Sequence, residues 1–243
     1  MPSPTKCFLT AGWHHLVMLN FEVDPAVVAR FLPAGTEIDF FRGRTYLSMV
    51  GFRFLNTRVL GMPIPFHRNF DEVNLRFYVK RTVDGQTRRG VTFIKELVPK
   101  RMVAWIANSV YNENYLRLPM RSRIELPQNG TSGWATYEWH HASRWHRLTA
   151  QIIGEPQATA PRSEPEFITE HYWGYSRQRD GGTMEYQVEH PPWRVWTAAS
   201  AQFDCDVASL YGPDLAPFLC KPPTSAFVAD GSAVVVRQGT RIA

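Results

Sequence analysis

Lysine is scarce in this chain. Of 27 Lys and Arg residues only five are lysine (Lys6, Lys80, Lys95, Lys100 and Lys221), which leaves 22 arginines. A lysine kept beside an arginine, as in Pro99-Lys100-Arg101, therefore invites a chemical question. Lysine can lose its proton and condense with a carbonyl, and arginine cannot. To act as a nucleophile, Lys100 must have its pKa lowered from about 10.4 towards neutrality. A helix N-terminus contributes only about 0.3–1 kcal/mol, whereas burial can lower a lysine by about 3–5 pKa units. An apolar pocket would have to do most of this, with Arg101 as an adjacent cation acting in the same direction. The plain alternative is a solvated residue in the first turn of a helix. Lys95 is the rival lysine. Simple alternation puts it on a strand face with Val91, Phe93 and Leu97, where a lysine at a sheet edge snorkels to water.

Glu72, Asn74, Arg76 and Tyr78 share one face of a second strand, and Val73, Leu75, Phe77 and Val79 share the other. The polar row reads as a pocket wall or as an outer solvent face. In a wall, Glu72 can orient a substrate or exchange protons, and Arg76 can grip a carboxylate through two parallel hydrogen bonds or pair with Glu72. Of the histidines, His14 and His15 point to opposite faces, so one of them at most faces a pocket. His140, His141 and His146 lack the spacing of metal ligands and read as surface residues around a turn. His190, before Pro191-Pro192-Trp193, reads as a hydrogen-bonding residue in a rigid loop. No nucleophile elbow, phosphate loop or dinucleotide fingerprint occurs. Neither a metal nor a cofactor is expected.

The elements that must position these residues follow from local signals. A strand spans His15 to Glu22, entered through Trp13. Asp24-Pro25 is an N-cap followed by proline and starts a short helix that runs to Leu32. A hairpin around Arg42-Gly43 joins Ile38–Phe41 to Thr45–Phe54, and 56–66 is a loop. The Glu72–Lys80 strand turns at Asp84-Gly85 into a strand over Gly90–Leu97. Pro99 opens a helix reaching about Tyr111. Strands follow near 120–126, 133–139, 147–153, 183–188, 194–203 and 226–236, with one helix over Pro165–Trp173 capped by Ser163 or Glu164. The pattern is an α+β chain with a large antiparallel sheet or barrel, read as a single domain over 1–243.

Several of these segments together resemble the YqjF-like family of unknown function, within the acetoacetate decarboxylase-like superfamily. The resemblance rests on Leu32-Pro33-Ala34-Gly35, Tyr46-Leu47-Ser48, Phe70-Asp71-Glu72-Val73-Asn74-Leu75, Glu170-His171-Tyr172-Trp173, Val188-Glu189-His190-Pro191-Pro192-Trp193 and Ala229-Asp230-Gly231-Ser232. It implies a curved antiparallel sheet, nearly a barrel, enclosing a small-molecule pocket. It implies Lys100 as the Schiff-base lysine and Glu72 as a pocket glutamate, with Arg101 where decarboxylases carry a second lysine. Ser48 stands at the position of the other pocket glutamate and His14 at that of a pocket arginine. Glu37-Ile38-Asp39 also matches the decarboxylase pattern. Burial beside a second cation is the standing explanation for that enzyme's reactive lysine.

Composition bounds the remaining possibilities. Net charge is +5, but the arginines are scattered, so no nucleic-acid partner is expected. Cys7, Cys205 and Cys220 form no disulfide or zinc pattern. No stretch approaches the roughly 18 apolar residues of a membrane helix, and the expected compartment is the cytoplasm. Oligomeric state stays open, with a homo-oligomer as one candidate by analogy with proteins of this fold. Three functions remain: a carbon–carbon lyase or related enzyme acting on a small keto acid or aldehyde through a lysine imine, a non-catalytic binder of a small carbonyl or carboxylate ligand in the same cavity, and an interaction module using its aromatic exterior.

Overall fold

A computed structural model describes residues 6–99, 114–128 and 131–242. The segment expected as a helix after Pro99, with Lys100 and Arg101, lies outside the described residues. The first half contains β1 (Cys7–Val23), β2 (Glu37–Ile38), β3 (Thr45–Val59), β4 (Met62–Pro63), β5 (Phe70–Val83), β6 (Gln86–Val98) and β7 (Tyr115–Arg117). There follow β8 (Met120–Glu125), β9 (Ser132–His141), β10 (Arg144–Ile153), β11 (Gln157–Ala158), β12 (Trp173–Arg177), β13 (Thr183–Glu189), β14 (Arg194–Asp204), β15 (Ser225–Arg237) and β16 (Thr240–Arg241). Short helices occupy Pro25–Ala29, Glu164–Thr169, Val207–Tyr211 and Ala216–Leu219.

β5 and β6 pair antiparallel from Val73↔Leu97 to Val83↔Gln86, as the Asp84-Gly85 signal requires. Asp84 (φ 49°) and Gly85 (φ 76°) both take the left-handed conformation, which matches the twist of a two-residue hairpin. From β5 the order runs β5-β3-β1-β15 in one direction and β5-β6-β12-β13 in the other. β13 then meets β15 at Val188↔Val236 and Glu189↔Val235, which brings the circuit back on itself. The wall is nearly a barrel and is joined along a seam of two residue pairs. The sheet is mixed and not purely antiparallel, because β12 runs parallel to β6 and β7 parallel to β6. Strands β14, β10, β9 and β8 continue from β15.

The wall has two apolar sides. On one, Val17, Leu19, Leu47, Met49, Val73, Leu75 and Phe77 pack with Tyr137 and Trp139 of β9 and Leu148 of β10. On the other, Leu16, Val50, Phe52, Phe54, Phe70 and Val91 pack with Phe167, Ile168 and Trp193. Burying each large apolar side chain contributes about 1.5–3 kcal/mol. The contact between the layers is close: a Cβ added to Gly51 would lie 2.7 Å from the Tyr137 ring.

Several local expectations change. The helix from Pro25 ends at Ala29, and that from Glu164 ends at Thr169, so Trp173 starts a strand. Asp24 and Ser163 cap them, accepting from the amides of Ala26 and Glu166. β2 pairs with β5, leaving only the bridge Phe41↔Arg44 around Arg42-Gly43. β3 runs on to Val59 and folds back through β4, where a loop was expected. Lys95 is not on an edge strand, because β6 has β5 on one side and β12 and β7 on the other.

Gly231 shows how tightly β1 and β15 meet. At φ 84° an added Cβ would lie 1.9 Å from the Trp13 carbonyl oxygen, whereas Gly85, at φ 76°, has open space around it. Gly85→Ala should cost the left-handed strain alone, about 1–2 kcal/mol. Gly231→Ala must in addition push backbone apart, for a total of about 3 kcal/mol or more. In thermal melts Gly231→Ala should fall about 6–12 °C and Gly85→Ala about half that or less. Equal melting points would refute the close approach.

Candidate functional site

β5 carries the polar row of the cavity. Its unbroken alternation sends Phe70, Glu72, Asn74 and Arg76 to the cavity and Val73, Leu75 and Phe77 to the opposite core. Asn74 lies opposite Val50 of β3 and Glu96 of β6, so four polar side chains form one patch. Glu72 (2% exposed) accepts from Asn74 Nδ2 at 3.1 Å and from the Tyr115 hydroxyl at 3.2 Å. Arg76 (9% exposed) donates one long hydrogen bond, Nη2 to the Ile168 carbonyl at 3.4 Å, and its Nε is buried without a partner. It therefore pairs with neither Glu72 nor any other described carboxylate. A buried cation without a counter-ion is costly, and this one lines an apolar cavity of about 140 Å³. Space of that order, about the size of a void that takes benzene, suits a ligand of roughly six or seven non-hydrogen atoms.

Bulges decide which residues of the flanking strands join the site. Ile94 is the extra residue of β6, between the pairs Leu75↔Lys95 and Arg76↔Phe93. Val91 and Phe93 face the cavity, and beyond the bulge Glu96 does so as well. Lys95 goes to the other core, where Nζ donates to the Leu210 carbonyl and lies 5.9 Å from the Tyr211 ring centre. Burial lowers its pKa. In β1, His15 takes φ 56° and the register shifts between His14 and Val17. Trp13 and Leu16 then line the cavity, and His14 is not among its walls. Asn56 (φ 54°) changes the phase of β3 in the same way, from Phe52 and Phe54 to Thr57 and Val59.

Of the residues singled out in the sequence, Glu72 and Arg76 come together in the cavity wall. Tyr78 and Ser48 do not line it. They bond to each other at 2.6 Å, and Ser48 donates to Asn20 Oδ1. Lys100 and Arg101 lie outside the described residues. His190 lines the cavity with its Nδ1–H donated to the Pro191 carbonyl at 2.9 Å and its ring stacked 4.1 Å from Trp193; burial lowers its pKa. His146, expected at the surface, is fully buried against Trp139 and bonds the His141 carbonyl. Among the described residues no three His, Cys, Asp or Glu side chains converge as metal ligands.

His171 is not among the residues that local sequence signals single out. The helix Glu164–Thr169 stops at Glu170, and the connector to β12 is pinned by Tyr172 N to the Arg89 carbonyl and Val188 N to the Tyr172 carbonyl. This sets the His171 ring in the cavity wall, 4.7 Å from Tyr78 and 5.1 Å from Phe167. Its Nε2 faces Asp39 Oδ2 at 3.2 Å, and Arg89 Nε donates to the same oxygen at 2.7 Å. Burial alone would raise the Asp39 carboxyl, but the bonds from His171 and Arg89 outweigh it and hold the pKa below the usual value. For His171, burial overrides the Asp39 bond and pulls the pKa down to about 4. The ring is neutral at pH 7, protonated on Nε2, and Nδ1 is a buried lone pair without a partner.

This gives a pH signature. Between pH 6.5 and about 4 the unfolded chain protonates His171 and the folded chain does not, so stability falls as pH drops through that window and is level above it. The loss due to His171 is at most about 3 kcal/mol. His171→Gln should flatten the decline of melting temperature between pH 7 and 4.5. The slope that remains is assigned to His15, His146 and His190, which burial also lowers. An unchanged slope in the variant would contradict the assignment.

Comparison with known proteins places the chain. The model of the family DUF2071, described as an uncharacterized conserved protein, matches residues 10–233. The uncharacterized protein YqjF of Bacillus subtilis (strain 168) is 25% identical over 188 residues, 76% of this chain and 74% of its own length. Among solved structures, the acetoacetate decarboxylase of Legionella pneumophila superposes with a TM-score of 0.66 at 11% identity, covering 100% of this chain and 92% of that one. The enduracididine biosynthesis enzyme MppR complexed with pyruvate gives 0.65 at 13%, with the same coverage. An acetoacetate decarboxylase-like enzyme from Sphingomonas wittichii RW1 gives 0.64 at 12%, covering 98% and 94%. At these identities the three structures establish the fold.

Proposed function

The chain belongs to the DUF2071 family, and we propose that it binds a small keto acid in the cavity and performs carbonyl chemistry on it through an imine at Lys100. Arg76 carries this reading. A guanidinium buried in an apolar wall, with Nε unpartnered, calls for an anion, and a carboxylate meets its geometry with two parallel bonds. Glu72, fixed by Asn74 and Tyr115, is placed to hold or exchange a proton beside that anion. An enzyme of this fold is known as a complex with pyruvate, which supports the ligand class. Lys100 enters from the sequence alone, as the scarce lysine after Pro99. Binding without catalysis is the second reading. It is favoured by Arg101 in place of a second lysine, and by Ser48 and His14 lying off the cavity walls.

Two experiments separate the readings. At a pyruvate concentration about a hundred times Kd, ligand binding should stabilise the protein by about 2.7 kcal/mol, roughly a 5–10 °C rise in melting temperature. Arg76→Met should abolish that rise without lowering the ligand-free melting point by more than a few degrees, because an unpaired buried charge is removed. A full rise retained in Arg76→Met would sink the carboxylate anchor.

Imine formation is tested by incubating with pyruvate or acetoacetate, reducing with borohydride and mapping the mass shift. Adduct at Lys100, absent in Lys100→Arg, supports the enzyme reading. Binding without an adduct at Lys100 supports the non-catalytic one.

A further inference from the structure

We infer that the cavity recognises a carboxylate ligand bearing a hydroxyl, and that His171 is the residue that accepts the hydroxyl's hydrogen bond. This rests on the carboxylate anchor proposed for Arg76. The wall leaves particular hydrogen-bonding roles open. Asp39, itself held by Arg89, takes the proton-bearing Nε2 of His171 and so fixes Nδ1 as an acceptor. The ring cannot turn to offer a proton instead, because Tyr78 and Phe167 flank it and a flip would break the Asp39 bond. His171 is 7% exposed, and its Nδ1 has no partner. Asn74 shows the same asymmetry: its Nδ2 is given to Glu72, and its Oδ1 is buried and unpartnered. His190 donates from Nδ1 to Pro191, so its Nε2 is an acceptor too. These three groups present lone pairs, and a ketone oxygen set against them would meet acceptors only; the unpartnered donors of the wall are Arg76 Nε, Trp13 Nε1 and the Thr57 hydroxyl. A hydroxyl supplies the missing donor.

The preference agrees with carbonyl chemistry at a lysine. When a neutral amine attacks the keto carbon of a 2-keto acid such as pyruvate, the carbonyl π pair moves to oxygen, and an amine proton transferred to that oxygen completes a hydroxyl. The tetrahedral adduct then carries its carboxylate and its hydroxyl on the same carbon, as a 2-hydroxy acid does. A wall complementary to that adduct and not to the ketone favours the step that forms it.

The test is binding, measured by calorimetry in Lys100→Arg protein so that imine formation does not add to the affinity of the keto acid. The probes are pyruvate and the two enantiomers of lactate. One lactate enantiomer should bind about tenfold more tightly than pyruvate, the effect of one satisfied hydrogen bond in a dry site. Adding His171→Phe should erase that tenfold difference and leave pyruvate within about twofold. Should the double variant not fold, nitrogen NMR of the His171 ring in Lys100→Arg protein decides, since lactate and not pyruvate should move the Nδ1 resonance. Lactate binding no better than pyruvate, a preference that survives His171→Phe, or an unmoved Nδ1 resonance overturns the inference. Both acids binding equally, with both lost in Arg76→Met, overturns this inference alone. Failure of both acids to bind overturns the carboxylate anchor along with it.

Discussion

Between Glu72 and Val79, strand β5 has no face to give to water, and the rest of the molecule is arranged around that constraint. One side lies against the core formed with β9 and β10, the other against the cavity. A strand buried on both faces is normally apolar throughout. Here the cavity side carries Glu72, Asn74 and Arg76, and polar groups in such a place are tolerated only when bonded. Glu72 and Asn74 bond each other, and Tyr115 closes on Glu72. Arg76 keeps one long bond to the end of a helix. The polar row is therefore held stiffly, and the groups left open are the Arg76 Nε edge and the Asn74 Oδ1 lone pair.

Because each strand alternates strictly, the composition of the cavity depends on the phase of its neighbours. A bulge adds one residue and reverses the phase. Three of them surround the site, at His15, Asn56 and Ile94. Without the one at Ile94, Glu96 would point into the apolar core formed with β9 and β10, where a carboxylate is expensive to bury. The bulge also sends Lys95 to the end of the helix Val207–Tyr211, where Nζ donates to the Leu210 carbonyl.

The legible parts of the sequence were those governed by local chemistry. Asp84-Gly85 set the hairpin, Asp24 and Ser163-Glu164 marked two helix starts, and the alternation of β5 put Glu72 and Arg76 on one face, readable as a pocket wall or as a solvent face. The parts that failed depend on partners distant in sequence. The resemblance put His14 at a pocket position, which holds for a regular strand; nothing local announces that His15 is left-handed. Asn56 was a weak hint, since asparagine tolerates that conformation. His171 stood within a quoted segment, but its role appears only when Asp39, 132 residues away, meets it. The two short helices near the end went unread, although Asp206 caps the first.

The pairing of β1 with β15, Cys7 opposite Arg237, has a consequence for how the chain comes to be folded. A ring that joins segments more than 200 residues apart has high contact order and forms slowly. During synthesis at about 5–20 residues per second, β1 emerges roughly 10–40 s before β15. Over that interval β3 can cover one edge of β1, while the other edge, meant for β15, presents unpaired amides and carbonyls to any neighbouring chain. The strand that frames the cavity in the finished protein is thus the one most exposed to mispairing while the protein is being made.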